Sequence, residues 1–309
     1  MANTSHAAWN EFWALNKGSG QDGGCLPSGY QGINGAQAKI WAEFAASLPK
    51  KARVLDMATG DGRVMGWLIG ARRDLKVGGC DMAPQLPEPP RGTKAKPGVK
   101  MEALPYPSKQ FFGVTSQFGF EYGETKQVAA EAARVLRDDG VLAILTHRQD
   151  GPILAHNVKR RAQIQWVLKE QGLPELAKRS LQLRLGGIAG GGQIIIPQAI
   201  SEAPAKGAAA HGPQSAAWEI AEAIRQSLVM GARDHPANVA RLIDTIVSRA
   251  QNELGRINSL EAACANTADY AGFDAALTAA GFEQTAMEPV LEGGQSAPFA
   301  DFRTYRLSR

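Results

Sequence analysis

The chain has 309 residues, 44% of them apolar, with 34 basic against 30 acidic side chains and a net charge of +4. That is enough for one large domain, or for a core domain carrying a sizeable insertion, around an ordinary packed core. The basic residues fall in short clusters (Lys50-Lys51, Arg72-Arg73, Lys159-Arg160-Arg161) without interleaved aromatics, which argues against a nucleic-acid partner.

Near the N-terminus, Trp9, Phe12 and Trp13 share one helical face, and a glycine-rich segment follows through Gly35. Two readings of residues 1–35 stand side by side. Either the aromatics dock the N-terminus on the core, or the segment is a lid over a ligand with the glycines as hinges. Ile40, Trp41, Phe44, Ala45 and Leu48 have helical spacing, and Pro49 ends that helix. A strand is expected over Ala52–Met57, a helix over Arg63–Arg72 and a strand over Lys76–Cys80. Residues 83–98 carry five prolines and read as an extended loop, followed by short strands near Val99–Met101 and over Gly113–Phe118. Lys126–Leu136 has helical periodicity, Asp138-Asp139-Gly140 reads as a turn, and Val141–Thr146 is a near-continuous apolar strand. Strands alternating with helices, with uninterrupted apolar strands, mean a parallel sheet covered on both faces.

The pattern changes after residue 150. Helical periodicity runs over Val158–Gln171, Ala216–Gly231 and Asn238–Ala263. Glycine-rich pieces at Gly186-Gly187 and Gly190–Gly192 lie between them, with an Ala/Pro/Gly stretch at 203–213 that reads as a mobile linker. Phe273–Ala280 with Gly281-Phe282 reads as a helix closed by a C-cap glycine. It feeds a strand near Glu283–Pro289, and Thr304–Leu307 is the last strand. The expected division is an N-terminal segment 1–35, a core of 36–150 with 271–309, and a mainly helical insertion 151–270.

Val54-Leu55-Asp56-Met57-Ala58-Thr59-Gly60-Asp61-Gly62 is the most informative stretch. A buried strand ends in an acidic residue and turns through small residues into a helix, so that backbone N–H groups and a helix N-terminus can approach a ligand closely. Asp81 closes the next apolar run one strand-helix-strand repeat later, where a carboxylate can hold ribose hydroxyls. Ala58, Gly60 and Gly62 are spaced two and two, whereas the dinucleotide fingerprint wants three glycines spaced two and three, and the phosphate-cradling Lys-Ser/Thr loop is absent.

Asp-x-Ala-x-Gly-x-Gly resembles the first motif of class I S-adenosylmethionine-dependent methyltransferases. Several further segments are similar to the ubiquinone/menaquinone-biosynthesis type of that family: Ala103–Pro107 followed by Gln110-Phe111, Ser116–Gly119, Glu131–Leu136 with Asp139-Gly140, and Leu277–Phe282. Together they span residues 36–150 and 270–309, about half the chain. The resemblance implies an α/β, Rossmann-like, mostly parallel seven-stranded sheet with the helical insertion after strand 5, and S-adenosylmethionine as cofactor with S-adenosylhomocysteine as product. It implies that Asp56, Met57, Ala58, Gly60, Asp61 and Gly62 form the loop around the methionine and ribose portion. Asp81 would accept the ribose hydroxyls, Met82 would lie on the adenine face, and Gln117 and Phe118 would line the floor near the sulfonium. Relatives carry an Asp for the adenine amino group where this chain has Lys100, which leaves adenine recognition to backbone groups near Met101 and Glu102. Phe112 stands where relatives usually have Asp, a structural position.

Methyl transfer needs a positioned acceptor, excluded water and, for a hydroxyl acceptor, a base. His147 follows the fifth strand and is the base candidate; hydrogen bonding to a nearby loop is its structural alternative. Arg148 is placed to pair with an acidic substrate group or with Glu121, and Glu121 and Tyr122 are pocket candidates after the fourth strand. No metal is expected. Cys25, Cys80 and Cys264 are odd in number and far apart, so no disulfide framework is expected either. No apolar run approaches the roughly 20 residues of a membrane span. The first residues do not read as a signal peptide, so a cytoplasmic protein is expected. The expected activity is methyl transfer to an O, C or N atom of a small-molecule acceptor. Its rivals are a peptide or protein methyltransferase using the insertion as a docking surface, and a non-catalytic S-adenosylmethionine-binding protein. The insertion's helices would form a cap or, through a long amphipathic helix, a homodimer contact.

Overall fold

The computed structural model describes residues 2–15, 31–185, 196–292 and 297–308. The glycine-rich segments expected at 16–30 and 186–192 lie outside them. α1 (Ala2–Leu15) and α2 (Gln31–Ser47) precede the first strand, β1 (Arg53–Met57), whose last four residues are all buried. α3 (Arg63–Ala71), β2 (Lys76–Cys80), β3 (Lys94–Lys96), β4 (Phe111–Gln117), α4 (Thr125–Val135) and β5 (Leu136–His147) follow. After the helical region come α10 (Tyr270–Ala279), β6 (Phe282–Val290) and β7 (Ala300–Leu307).

The strands form one seven-stranded sheet in the order β3-β2-β1-β4-β5-β7-β6, with β7 antiparallel to both its neighbours and the other pairs parallel. This is the mostly parallel Rossmann-like sheet that the sequence implies. Trp41 and Phe44 of α2, Leu48 just after it, and Val64, Met65 and Leu68 of α3 pack with Val54, Val77, Ala143 and Leu145. Val128, Ala132 and Val135 of α4 and Phe273 and Leu277 of α10 pack with Leu55, Met57, Val114, Leu142 and Ile144. The alternation of side chains along each strand, with both faces covered, explains the continuous apolar runs. The carboxyl ends of β1, β2, β4 and β5 lie side by side as a result, and the candidate site is built there.

Three expectations differ from the structure. No strand forms at Val99–Met101; the edge strand is Lys94–Lys96, paired with Gly78–Cys80 inside the expected loop. Its exposed lysines carry no apolar alternation, as suits an edge kept from further pairing, while Val99 is buried and donates its N–H to the Asp81 carbonyl at 2.8 Å. Asp138–Gly140 is not a free turn but lies within β5, where the register jumps from Phe111↔Leu136 to Gly113↔Val141. The 203–213 stretch is not a linker, because α7 (Gln198–His211) runs through it. Alanine favours helix, Pro204 is buried, and a Cβ on Gly207 would lie 3.1 Å from the Ala217 carbonyl carbon, so the glycine permits a close helix pair.

The chain divides into two compact units, Met1–Ala155 with Asn258–Arg309, and His156–Ile257. The second is helical, with α6 (Leu173–Leu185), α7, α8 (Ala216–Met230) and parts of α5 (Pro152–Gln165) and α9 (Pro236–Ala268). Its core contains Val167, Leu173, Leu181, Ile200, Ile224, Leu228 and Ile243. No described helix is long and apolar enough to cross a membrane.

Candidate functional site

β1 ends in a loop whose alternate residues lie in the left-handed region, with φ of 53° at Ala58, 52° at Gly60 and 76° at Gly62. Glycine takes that conformation at little cost, whereas Ala58 is strained there. Gly119 lets the loop come close to the turn after β4, since a Cβ on it would meet the Ala58 Cβ at 2.4 Å. The Thr59 N–H donates to the Cys80 carbonyl at 3.0 Å, and the Gly60 N–H donates to Asp81 Oδ2 at 3.0 Å. The loop is thereby pinned to the end of β2. Asp81 Oδ1 accepts from the Ala83 N–H at 2.9 Å. Gly62 then caps the N-terminus of α3.

Asp56 is buried beneath this loop. Its Oδ2 accepts from Thr59 Oγ1 at 2.6 Å and its Oδ1 from Thr115 Oγ1 at 2.8 Å. Burial pushes the Asp56 carboxyl up to about 7, the two hydroxyls pull it back, and the Asp61 and Asp81 carboxylates push it further up. Burial also raises Asp81, against the backbone N–H groups that favour its charged form. Asp61 is engaged by Arg63, with Nη2 to Oδ2 at 2.6 Å. From α1, Trp13 covers the loop: a Cβ on Gly60 would lie 2.5 Å from its Cζ2.

The end of β4 forms the floor. Gln117 accepts from Trp41 Nε1 at 2.7 Å and donates to Gln37 Oε1 at 3.3 Å, while the buried Gln37 Nε2 has no partner among the described residues. Phe118, with φ 53°, stacks on the His147 ring at 4.1 Å between centroids. Tyr122 meets that ring edge-on at 5.9 Å, and Trp9 meets Tyr122 at 5.7 Å. Met82 is half-buried directly after Asp81. Met101 and Glu102 sit against Gly123, and the Glu102 carboxylate accepts the Glu124 N–H at 3.0 Å.

His147 and Glu121 form a buried pair. Glu121 Oε1 accepts the His147 backbone N–H at 3.0 Å and lies 2.9 Å from its Nδ1. Glu121 therefore pairs with His147 and not with Arg148. Arg148 binds Asp150 (Nη2 to Oδ2, 2.8 Å) and Asp301 (Nη1 to Oδ1, 2.6 Å). A pocket of about 390 Å³ opens here, lined by His147, Arg148, Gln149, Asp150, Thr267, Ala268, Tyr270 and Asp301. Sequence reasoning missed Thr59, Thr115, Gln37, Asn266 and Thr267. A threonine inside the apolar run of β4 was a readable signal for Thr115. Asn266 and Thr267, which bond the Glu121 and His147 carbonyls from a distant helix, left none.

Residues 55–144 match the family described as a methyltransferase domain. No curated protein matches the sequence. Among solved structures the chain is similar to the YcgJ protein of Bacillus subtilis, with 19% identity, 42% of this chain and 58% of that chain covered, and a TM-score of 0.33. The chain thus spans little more than half the length of that protein. A second likeness is to a Haloferax volcanii complex of the Trm112 methyltransferase activator with a putative methyltransferase (11% identity, 99% and 98% covered, TM-score 0.49). A third is to the Burkholderia thailandensis 1,6-didemethyltoxoflavin-N1-methyltransferase (12% identity, 100% and 91% covered, TM-score 0.45). None of these likenesses bears on acceptor or mechanism.

Residues 55–144 are similar to a methyltransferase domain, for which the cofactor is S-adenosylmethionine. The residues present fit that group. Each Asp81 oxygen spends one lone pair on a backbone N–H and keeps others for a diol. The left-handed loop presents bare backbone beside the Asp81 carboxylate.

Proposed function

We propose that the protein moves a methyl group from S-adenosylmethionine to an O, C or N atom of a small-molecule acceptor. The observation that carries this reading is the His147 imidazole, held by a buried carboxylate at the carboxyl end of β5 on the wall of a pocket of about 390 Å³. That volume suits a small molecule. The cofactor supplies a methyl carbon already activated by its sulfonium. Asp81 would hold the ribose hydroxyls, Met82 and the backbone near Met101 and Glu102 would enclose the adenine, and the 56–62 loop would surround the methionine portion. Gln117 and Phe118 would form the floor near the sulfonium, and Tyr122 stands edge-on to the His147 ring. His147 takes a proton from the acceptor where the nucleophile carries one.

The acceptor is sought by incubating extracts with methyl-labelled S-adenosylmethionine and following the label. With it in hand, His147→Ala lowers turnover by about 10² or more. An unchanged rate removes His147 from the role of base.

A further inference from the structure

The polar groups around His147 restrict what its pocket accepts. Glu121 is fully buried, and its Oε1 already accepts the His147 backbone N–H at 3.0 Å. An oxygen accepting there makes the neighbouring Nδ1, 2.9 Å away, the donor, because a carboxylate has no hydrogen to give. That leaves the lone pair on Nε2, the ring nitrogen without a partner among the described residues. Both carbonyls of the pair are fastened as well: Thr267 Oγ1 donates to the His147 carbonyl at 2.9 Å, and Asn266 Nδ2 to the Glu121 carbonyl at 3.0 Å. Phe118 stacked on one ring face at 4.1 Å completes the support.

Among the described residues that line the same pocket, the cation is Arg148, and it is already paired. The Arg148 guanidinium is spent on Asp150 and Asp301, with contacts of 2.6–2.9 Å on three of its nitrogens. Arg303, outside that lining, is fully buried between the Tyr270 and Phe273 rings, 5.0 Å from each; it lies 3.5 Å from Asp274 and 3.9 Å from Asp301, and its guanidinium makes no hydrogen bond among the described residues. An anionic acceptor would have to compete with Asp150 and Asp301 for Arg148.

We infer that the pocket beside His147 receives a neutral acceptor through a hydroxyl group, and that Glu121 is a positioning residue that keeps the His147 proton on Nδ1 and Nε2 free. This deepens the proposed methyl transfer and rests on it. An oxygen lone pair forms the new O–CH3 bond while the S–CH3 bond breaks and its electron pair stays on sulfur. The hydroxyl proton passes to Nε2, leaving an imidazolium that returns it to water. A neutral amine would attack first and shed its proton afterwards, with less need of a base held ready.

The test uses the full chain with 15N-labelled histidine in the presence of S-adenosylhomocysteine, the His147 signals being assigned by their loss in His147→Gln. The expected spectrum has the proton on Nδ1. Phenol shifts the Nε2 resonance, benzoate at the same concentration does not, and Glu121→Gln moves the proton partly or wholly to Nε2. A wild-type His147 protonated only on Nε2 overturns the inference. So does a Glu121→Gln spectrum like wild type, a benzoate shift as large as that of phenol, or no shift with either. Should Glu121→Gln fail to fold, the wild-type tautomer and the phenol/benzoate comparison decide alone. These spectra do not depend on turnover, so they fail separately from the methyl-transfer reading. If S-adenosylhomocysteine does not bind, that reading falls while the tautomer is still measurable in the free protein.

Discussion

Replacing Asp56 with Asn separates its charge from its shape. In the folded protein the Asp56 carboxyl stands at about 7 against an ordinary 3.8, chiefly through burial. A folded-state value raised above the unfolded one means that the native state holds the proton more tightly. Its stabilising contribution is therefore complete below about pH 4, is lost as pH rises through 7, and stays lost above. A gap of about three pK units at 1.36 kcal/mol each sets an upper bound of roughly 4 kcal/mol. The groups that bear on it are Asp61, Asp81, Cys80 and the hydroxyls of Thr59 and Thr115. Asn stays neutral, and its altered hydrogen bonding to the two threonines adds only a pH-independent offset. Urea unfolding of wild type and Asp56→Asn at steps from pH 4 to 8, followed by circular dichroism and tryptophan fluorescence, gives the difference directly. The variant should gain on wild type by about 3 kcal/mol over that range. A difference flat to within about 0.5 kcal/mol would refute the reasoning.

Gly60→Ala places a Cβ at φ 52° and 2.5 Å from Trp13. It should cost about 1 kcal/mol of backbone strain, change the Trp13 environment seen in fluorescence, and weaken S-adenosylhomocysteine binding roughly tenfold; unchanged fluorescence and affinity would count against Trp13 covering the loop. Gly207→Val sets a branched side chain against the α8 backbone, 3.1 Å from Ala217 and 3.2 Å from Trp218 N. A loss of about 2 kcal/mol in urea unfolding is expected, and a variant as stable as wild type would show that the two helices can part freely.

The β1 loop and Asp81 were legible because their signal is local: an apolar run, an acid and small residues at fixed spacing within 29 residues, 53–81. The seven-stranded sheet followed from the alternation of apolar strands with amphipathic helices. β3 was not legible, because Lys94–Lys96 pairs through its backbone and exposes its side chains. Pro204 and Gly207 read as punctuation, although one sits buried in α7 and the other packs against α8. His147, Glu121 and Arg148 were each flagged by their place after a strand, but their pairing was not. Glu121 and His147 are 26 residues apart, and the Asp301 that claims Arg148 lies 153 residues away. Such partners are chosen by the sheet's order, which brings β7 beside β5, and by no feature of the neighbouring sequence.

The most direct measurement is thermal unfolding of wild type and Asp81→Ala with increasing S-adenosylhomocysteine, with NAD as control. At about 100 times its dissociation constant the ligand should stabilise the wild type by roughly 2.7 kcal/mol, a rise of a few degrees. The account predicts that rise for wild type alone, with little or none in Asp81→Ala and none with NAD. A wild-type midpoint unmoved by the homocysteine compound, or moved only by NAD, would contradict it.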